Sequence, residues 1–212
     1  MKKILLVGDS IRKGYDRFVK IAYEGKAEVY YPEENCRFSE YVLRNLHEWA
    51  EQTGCGRDVD CVHWNAGLWD AVILFNDGTL TPIDVYKTYI DRICQRINLL
   101  FPKAKVIFAT STPVIETQYG KNFKRYNKDI EAFNDVAAET VKKYGHDIND
   151  LYSLLKAAPS EYHSDMTHFY TKAATKVITE KVATEIEHCI GIKASTVDYD
   201  KYFCETKEVL GQ

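Results

Sequence analysis

The chain opens Met1-Lys2-Lys3-Ile4-Leu5-Leu6-Val7-Gly8-Asp9-Ser10, and the way that stretch ends decides how the rest is read. The apolar run from Ile4 to Val7 is flanked by lysines on one side and by Gly-Asp-Ser on the other. It is far too short to cross a membrane, which takes about 20 residues. No small-residue cleavage site follows Asp9, so a signal peptide is not expected. A short continuous apolar run closed by turn-forming residues suits a strand buried on both faces, the kind found in parallel sheets.

Outward from that strand, short apolar runs alternate with longer helical patterns. A second strand is expected at Glu28 to Tyr31, stopped by Pro32, and a helix at Ser39 to Gln52 with Tyr41, Val42, Leu46 and Trp49 inward. Cys61 to Trp64 reads as a third strand. Pro82 to Leu100 places Val85, Tyr89, Ile93, Ile97 and Leu100 at helical spacing, and Lys105 to Ala109 reads as a fourth strand. A helix from about Tyr126 to Tyr144 ends at Gly145, followed by a short fifth strand at Asp147 to Leu151. The last helix, Thr171 to Cys189, carries Ala174, Val177, Ile178, Val182 and Ile186 as its stripe and stops at Gly191. This alternation predicts βαβ units: an α/β domain whose parallel sheet is covered by helices on both faces. Residues 1–192 form one domain on this reading. Residues 193–212 form a tail whose aromatics Tyr199, Tyr202 and Phe203 pack back onto it.

A length of 212 residues suits one core, and 45% hydrophobic with 28% charged residues excludes a disordered or collagen-like chain. Lys plus Arg number 28 against 31 Asp plus Glu, a net charge of -3, which offers no field for nucleic acid. Six cysteines lie scattered without a C-x-x-C pair, as expected of reduced thiols in a cytoplasmic protein.

In parallel α/β sheets, ligands meet the loops beyond the carboxyl ends of the strands. Four polar segments fall there: Gly8-Asp9-Ser10, Asn65 to Asp70, Thr110 to Pro113, and Asp165 to His168 before the last helix. A serine nucleophile needs a base to take its proton and a carboxylate to orient that base. Ser10 and His168 supply the first two. Asp165, three residues before His168, can face one ring nitrogen while the other faces Ser10.

On these residues the chain resembles the SGNH/GDSL hydrolases, flavodoxin-like esterases, lipases, thioesterases and carbohydrate deacetylases. The resemblance spans residues 1 to about 190 and implies a three-layer flavodoxin-like fold. Gly8-Asp9-Ser10 matches the family's first block, making Ser10 the nucleophile. Asp165 to His168 matches its last block, making His168 the base and Asp165 its orienting acid. The middle blocks depart from the pattern. The second usually brings a glycine whose N–H enters the oxyanion hole, whereas Asn35-Cys36-Arg37-Phe38-Ser39 has none, which leaves Cys36 or Arg37 to donate. The third is normally Gly-x-Asn-Asp but reads Gly67-Leu68-Trp69-Asp70. Asn65 at the strand end is the favoured replacement donor, and the Trp69 indole N–H is the alternative.

Asp9, Gly67, Trp69 and His163 are expected to line the substrate pocket. His63, His47 and His188 lie within elements and read as packed or surface residues. Lys121, Lys124, Arg125 and Lys128, beside Tyr119, Phe123 and Tyr126, read as a solvated face, or else as a pocket rim for an anionic or sugar substrate. No His, Cys, Asp or Glu cluster has metal-ligand spacing and no P-loop is present, so neither metal nor cofactor is expected. The expected activity is hydrolysis of a small acyl ester, an O-acetyl group on a carbohydrate being favoured. The alternatives are a lipid or thioester acyl hydrolase and a non-catalytic carbohydrate-binding protein.

Overall fold

The structure, a computed structural model, describes residues 1–203. Cys204 and the rest of the expected tail, 204–212, lie outside the described residues. Seven strands and seven helices follow one another along the described chain. Strand β1 (Lys2–Val7) leads into α1 (Ser10–Ala22), and β2 (Ala27–Tyr30) is followed by α2 (Ser39–Gln52). After β3 (Cys61–Trp64) come β4 (Ile73–Leu74) and α3 (Ile83–Leu100), then β5 (Lys105–Ala109) and β6 (Phe123–Lys124). The chain continues through α4 (Asn127–Lys142), β7 (Asp147–Asn149), α5 (Leu151–Lys156), α6 (Lys172–Ile190) and α7 (Tyr199–Tyr202).

The main sheet is parallel with order β2-β1-β3-β5-β7, the flavodoxin order 2-1-3-4-5 when its five strands are counted alone. Right-handed crossovers put α1 on one face, because the chain moves outward from β1 to β2. The return from β2 through β3 and β5 to β7 puts α2, α3 and α4 on the other. α6 rejoins α1, where the Tyr23 hydroxyl donates to the Ala183 carbonyl at 3.1 Å. The expected three-layer α/β fold is the one the chain adopts. The direction reverses between β1 and β3, so the loops after Val7 and Trp64 flank a crevice at the carboxyl edge.

Most expected elements lie within two residues of their observed ends, with three differences in burial or content. The α3 stripe is Tyr86, Ile90, Ile93, Cys94 and Ile97, one position round from the expected Val85 and Tyr89, and Val85 is 39% exposed. In α6 the inward face includes Thr175 and Thr179, and the Thr179 hydroxyl is satisfied by donating to the Thr175 carbonyl at 2.7 Å. The two-stranded ribbon β4–β6 and the helices α1, α5 and α7 have no counterpart in the sequence reading. At the tail, Tyr199 stacks on Phe18 with centroids 5.3 Å apart, and the Ser195 N–H donates to the Ala22 carbonyl at 2.7 Å. Cys36, Cys55, Cys61, Cys94 and Cys189 are free, buried thiols. Among the described residues no helix is long and apolar enough to cross a membrane.

His63 is enclosed in the core, with its Nε2 at 3.1 Å from Asn149 Nδ2 and Tyr15 edge-on at 6.1 Å. Burial holds its imidazole down to about 3. The folded protein therefore keeps His63 neutral while the unfolded chain takes up a proton below about 6.5. Stability from this group is present above that pH and declines as pH falls toward 3, by about 3 kcal/mol between pH 7 and pH 4. Urea denaturation at both pH values should show most of that decline removed in His63→Gln. His146, held down to about 4 by burial, leaves a smaller one in place. An unchanged pH dependence in the variant would refute the assignment.

Candidate active site

Ser10 is the first residue of α1, one step beyond the Asp9 N-cap, whose carboxylate accepts the Ile11 N–H at 2.9 Å. Its Oγ lies 2.8 Å from His168 Nε2, and His168 Nδ1 lies 2.8 Å from Asp165 Oδ2. The other carboxylate oxygen of Asp165 accepts the N–H groups of Thr167 at 2.7 Å and His168 at 2.8 Å. One side chain thus builds the turn that presents the imidazole and also orients its ring. Burial pushes the Asp165 carboxyl up, but the hydrogen bond to His168 and the backbone N–H bonds outweigh it and bring it down to about 2. Asp165 therefore stays ionised in near-neutral solution.

Tyr170, which the sequence reading passed over, braces two members of this relay. Its ring stacks on the His168 imidazole at 4.7 Å and 17°, and its hydroxyl donates to the Ser10 carbonyl at 2.5 Å. Gly14 on α1 makes the room, since a Cβ there would lie 2.8 Å from the Tyr170 ring.

The loop before α2 is tied to the crevice by contacts distant in sequence. Asp70 accepts the Ser39 N–H at 3.0 and 3.2 Å through its two oxygens and the Ser39 hydroxyl at 2.5 Å. Arg12, ion-paired to Asp16, donates to the carbonyls of Glu34 at 2.5 Å and Gly8 at 3.4 Å. The Cys36 N–H donates to the Gly8 carbonyl at 3.1 Å and so does not face the site as an oxyanion donor, a correction to the sequence expectation. Arg37 has φ +52°, the left-handed conformation that glycine adopts without cost. This makes Arg37 the residue standing where the resemblance calls for glycine. Its N–H is held by Asn35 Oδ1 at 2.9 Å.

Asn65 is buried at the end of β3, its N–H donating to the Val7 carbonyl at 3.0 Å. Its side chain is wedged between Gly8 and Asp9. Asn65 Oδ1 lies against Gly8, where a Cβ would come within 1.9 Å of it, and has no hydrogen-bond partner. Burial pushes the Asp9 carboxyl up, against the pull of the Asn65 amide and the Ile11 N–H.

One of the four expected pocket residues is placed differently. Asp9 is fully buried and caps α1, so it does not line the pocket. Gly67, with φ +140°, lets the loop close on Ser111 Oγ and the Tyr86 hydroxyl, which a Cβ would meet at 2.7 and 2.9 Å. His163 packs on Phe169 with ring centroids 4.0 Å apart, and burial lowers its pKa. Trp69 is half-buried, with the Arg125 guanidinium 5.8 Å over its ring. Among the described residues, no three His, Cys, Asp or Glu side chains cluster so as to hold a metal ion.

A serine, an imidazole and a carboxylate thus stand in line at a flavodoxin-type switch point. No family model and no curated protein matches its sequence. Solved structures match its shape. A lipase/acylhydrolase from Enterococcus faecalis superposes with a TM-score of 0.72 at 19% identity, covering 93% of this chain and 100% of that one. A GDSL-like lipase from Bacteroides thetaiotaomicron gives 0.68 at 18% identity, covering 89% of each chain. The chain shares the fold of this lipase/acylhydrolase and this GDSL-like lipase. An acetyl xylan esterase superposes with a TM-score of 0.68 at 14% identity, covering 87% of this chain and 99% of that one.

Proposed function

We propose that the chain is a serine esterase that hydrolyses a small acyl ester through an acyl-enzyme. The observation that carries this reading is the relay from Ser10 Oγ through His168 to Asp165, with both links at 2.8 Å. His168 Nε2 takes the Ser10 proton as Oγ attacks the ester carbonyl, and then returns it to the departing alcohol. A water deprotonated by the same nitrogen releases the acid. The negative oxygen of each tetrahedral intermediate meets the Ser10 N–H at the N-terminus of α1, where the first N–H groups have no intrahelical acceptor. The Arg37 N–H joins it by exchanging Asn35 for the substrate oxygen, and the Asn65 amide is the third donor. The test is fluorophosphonate labelling, with the adduct mapped to Ser10. Labelling at another residue, or none in a protein that turns over esters, refutes the assignment.

The acyl group is small and the alcohol a carbohydrate. The half-buried aromatic Trp69 beside the crevice suits a sugar face, and the structurally similar acetyl xylan esterase is named for that chemistry. The lipase/acylhydrolase from Enterococcus faecalis favours a second reading, a longer acyl chain. Rates across acetyl, butyryl and octanoyl esters, with acetate release from acetylated oligosaccharides, separate the two. Five buried free thiols suit a reducing compartment, the cytoplasm.

If Asn65 holds the oxyanion, Asn65→Ala lowers kcat by a factor of about 100 to 1,000 with little change in KM, because such a donor acts on developing charge. Trp69→Phe then leaves kcat nearly unchanged. The reverse pattern would assign the indole N–H.

A further inference from the structure

Arg125 follows β6 and is 3% exposed, yet it forms no ion pair among the described residues. Its Nε donates to the Leu68 carbonyl at 2.6 Å and its Nη1 reaches the Tyr119 hydroxyl at 3.5 Å. The guanidinium lies among three rings, 5.1 Å from Phe123, 5.8 Å from Trp69 and 6.0 Å from Tyr119. Aromatic faces and one carbonyl offset part of the cost of burying a permanent cation. They do not neutralise it, and Nη2 has no hydrogen-bond partner among the described residues. A buried charge without a counter-charge is costly unless something supplies one.

A chain of contacts joins this cation to the site. Leu68 and Trp69 are in the loop after β3 that also carries Asn65. Tyr119 bonds Thr167 Oγ1 at 2.7 Å, and the Thr167 N–H is bonded to Asp165. The Arg125 charge reaches Asp9 without an ion pair between them. Through Tyr119 and Thr167, Arg125 sits on the His168 side of the site, where the alcohol leaves and is protonated.

We infer that Arg125 recognises a carboxylate on the alcohol half of the substrate, which makes the preferred ester that of an acidic alcohol, such as an acylated sugar acid. The proposal rests on the serine-esterase reading. The guanidinium fork matches a carboxylate with two parallel N–H···O bonds, a geometry that an ammonium group does not reproduce. The rings of Trp69, Tyr119 and Phe123 hold the fork in place, and the unpartnered Nη2 is left open to a ligand. Lys121 and Lys128, both exposed, stand within four residues of it in the chain.

The probes are phenyl acetate and 3-acetoxybenzoate, which share the acetyl group and differ by a carboxylate on the leaving alcohol. Phenyl butyrate and phenyl hydrogen succinate test the same charge on the acyl half. The wild-type protein should favour 3-acetoxybenzoate over phenyl acetate in kcat/KM by about 10- to 100-fold, the range of a charge-assisted pair, with no such preference in the acyl pair. Arg125→Met should bring the first ratio to about one, and Arg125→Lys should leave an intermediate ratio. A wild-type ratio near one overturns the proposal whether or not the variants fold. So does a preference that survives in Arg125→Met, or one confined to the succinate pair. In each case the esterase reading stands, because phenyl acetate is still hydrolysed. Hydrolysis of none of the four esters, with no labelling of Ser10, would remove the esterase reading and this proposal with it.

Discussion

Ser10→Ala is expected to lower kcat/KM for phenyl acetate by about 10⁴- to 10⁶-fold, the scale on which removing a serine nucleophile acts when nucleophile and base work as a unit. Thermal stability should hardly move. The Ser10 hydroxyl bonds His168 Nε2, while the carbonyl held by Tyr170 and the N–H at the start of α1 belong to the backbone and remain. Alanine is the residue best suited to a helix, and the hydroxyl lost here does not cap α1, since Asp9 does. Initial rates with matched thermal melts read out both quantities. A folded Ser10→Ala protein with more than about a hundredth of wild-type activity would mean that another group attacks the ester, because binding and oxyanion donors alone leave far less.

Part of this geometry was legible without the structure. Cys61–Trp64 and Lys105–Ala109 are short apolar runs whose ends in sequence are also their ends in the sheet, and Ser39–Gln52 shows its helical period without interruption. Helix α1 was passed over although Ile11, Tyr15, Phe18, Val19 and Ala22 form its inward stripe. Arg12 and Asp16 lie on that same face as a buried ion pair, so charged residues interrupt the pattern that marks a core helix. A similar division runs through the site. Ser10 follows a strand end directly, and Asp165 and His168 share one turn, so their placement is local. The loop around Cys36 is different, because what its N–H groups meet is decided by Gly8, Arg12 and Asp70 from other parts of the chain. Tyr170 reaches Ser10 across 160 positions, and no periodicity or spacing announces such a contact.

Asp165→Asn should lower kcat by about 10⁴-fold while the loop that carries His168 keeps its shape. The two oxygens of Asp165 have separate tasks. Oδ1 accepts the N–H groups of Thr167 and His168, and an asparagine oxygen can accept both in the same position. The amide nitrogen then replaces Oδ2 opposite His168 Nδ1, and because it can only donate, Nδ1 must become the acceptor. The imidazole proton moves to Nε2, the nitrogen 2.8 Å from Ser10 Oγ, where a bound proton prevents it from acting as base. Asp165→Ala removes the turn as well as the orienting charge. It should therefore lose more thermal stability than Asp165→Asn, which keeps the bonds of the turn and gives up only the charge at neutral pH. Kinetics and melts of the two variants side by side separate tautomer control from loop support. If the asparagine variant kept more than about a tenth of the wild-type kcat, Asp165 would serve the turn alone, and the base would have to be oriented by the stacked ring of Tyr170.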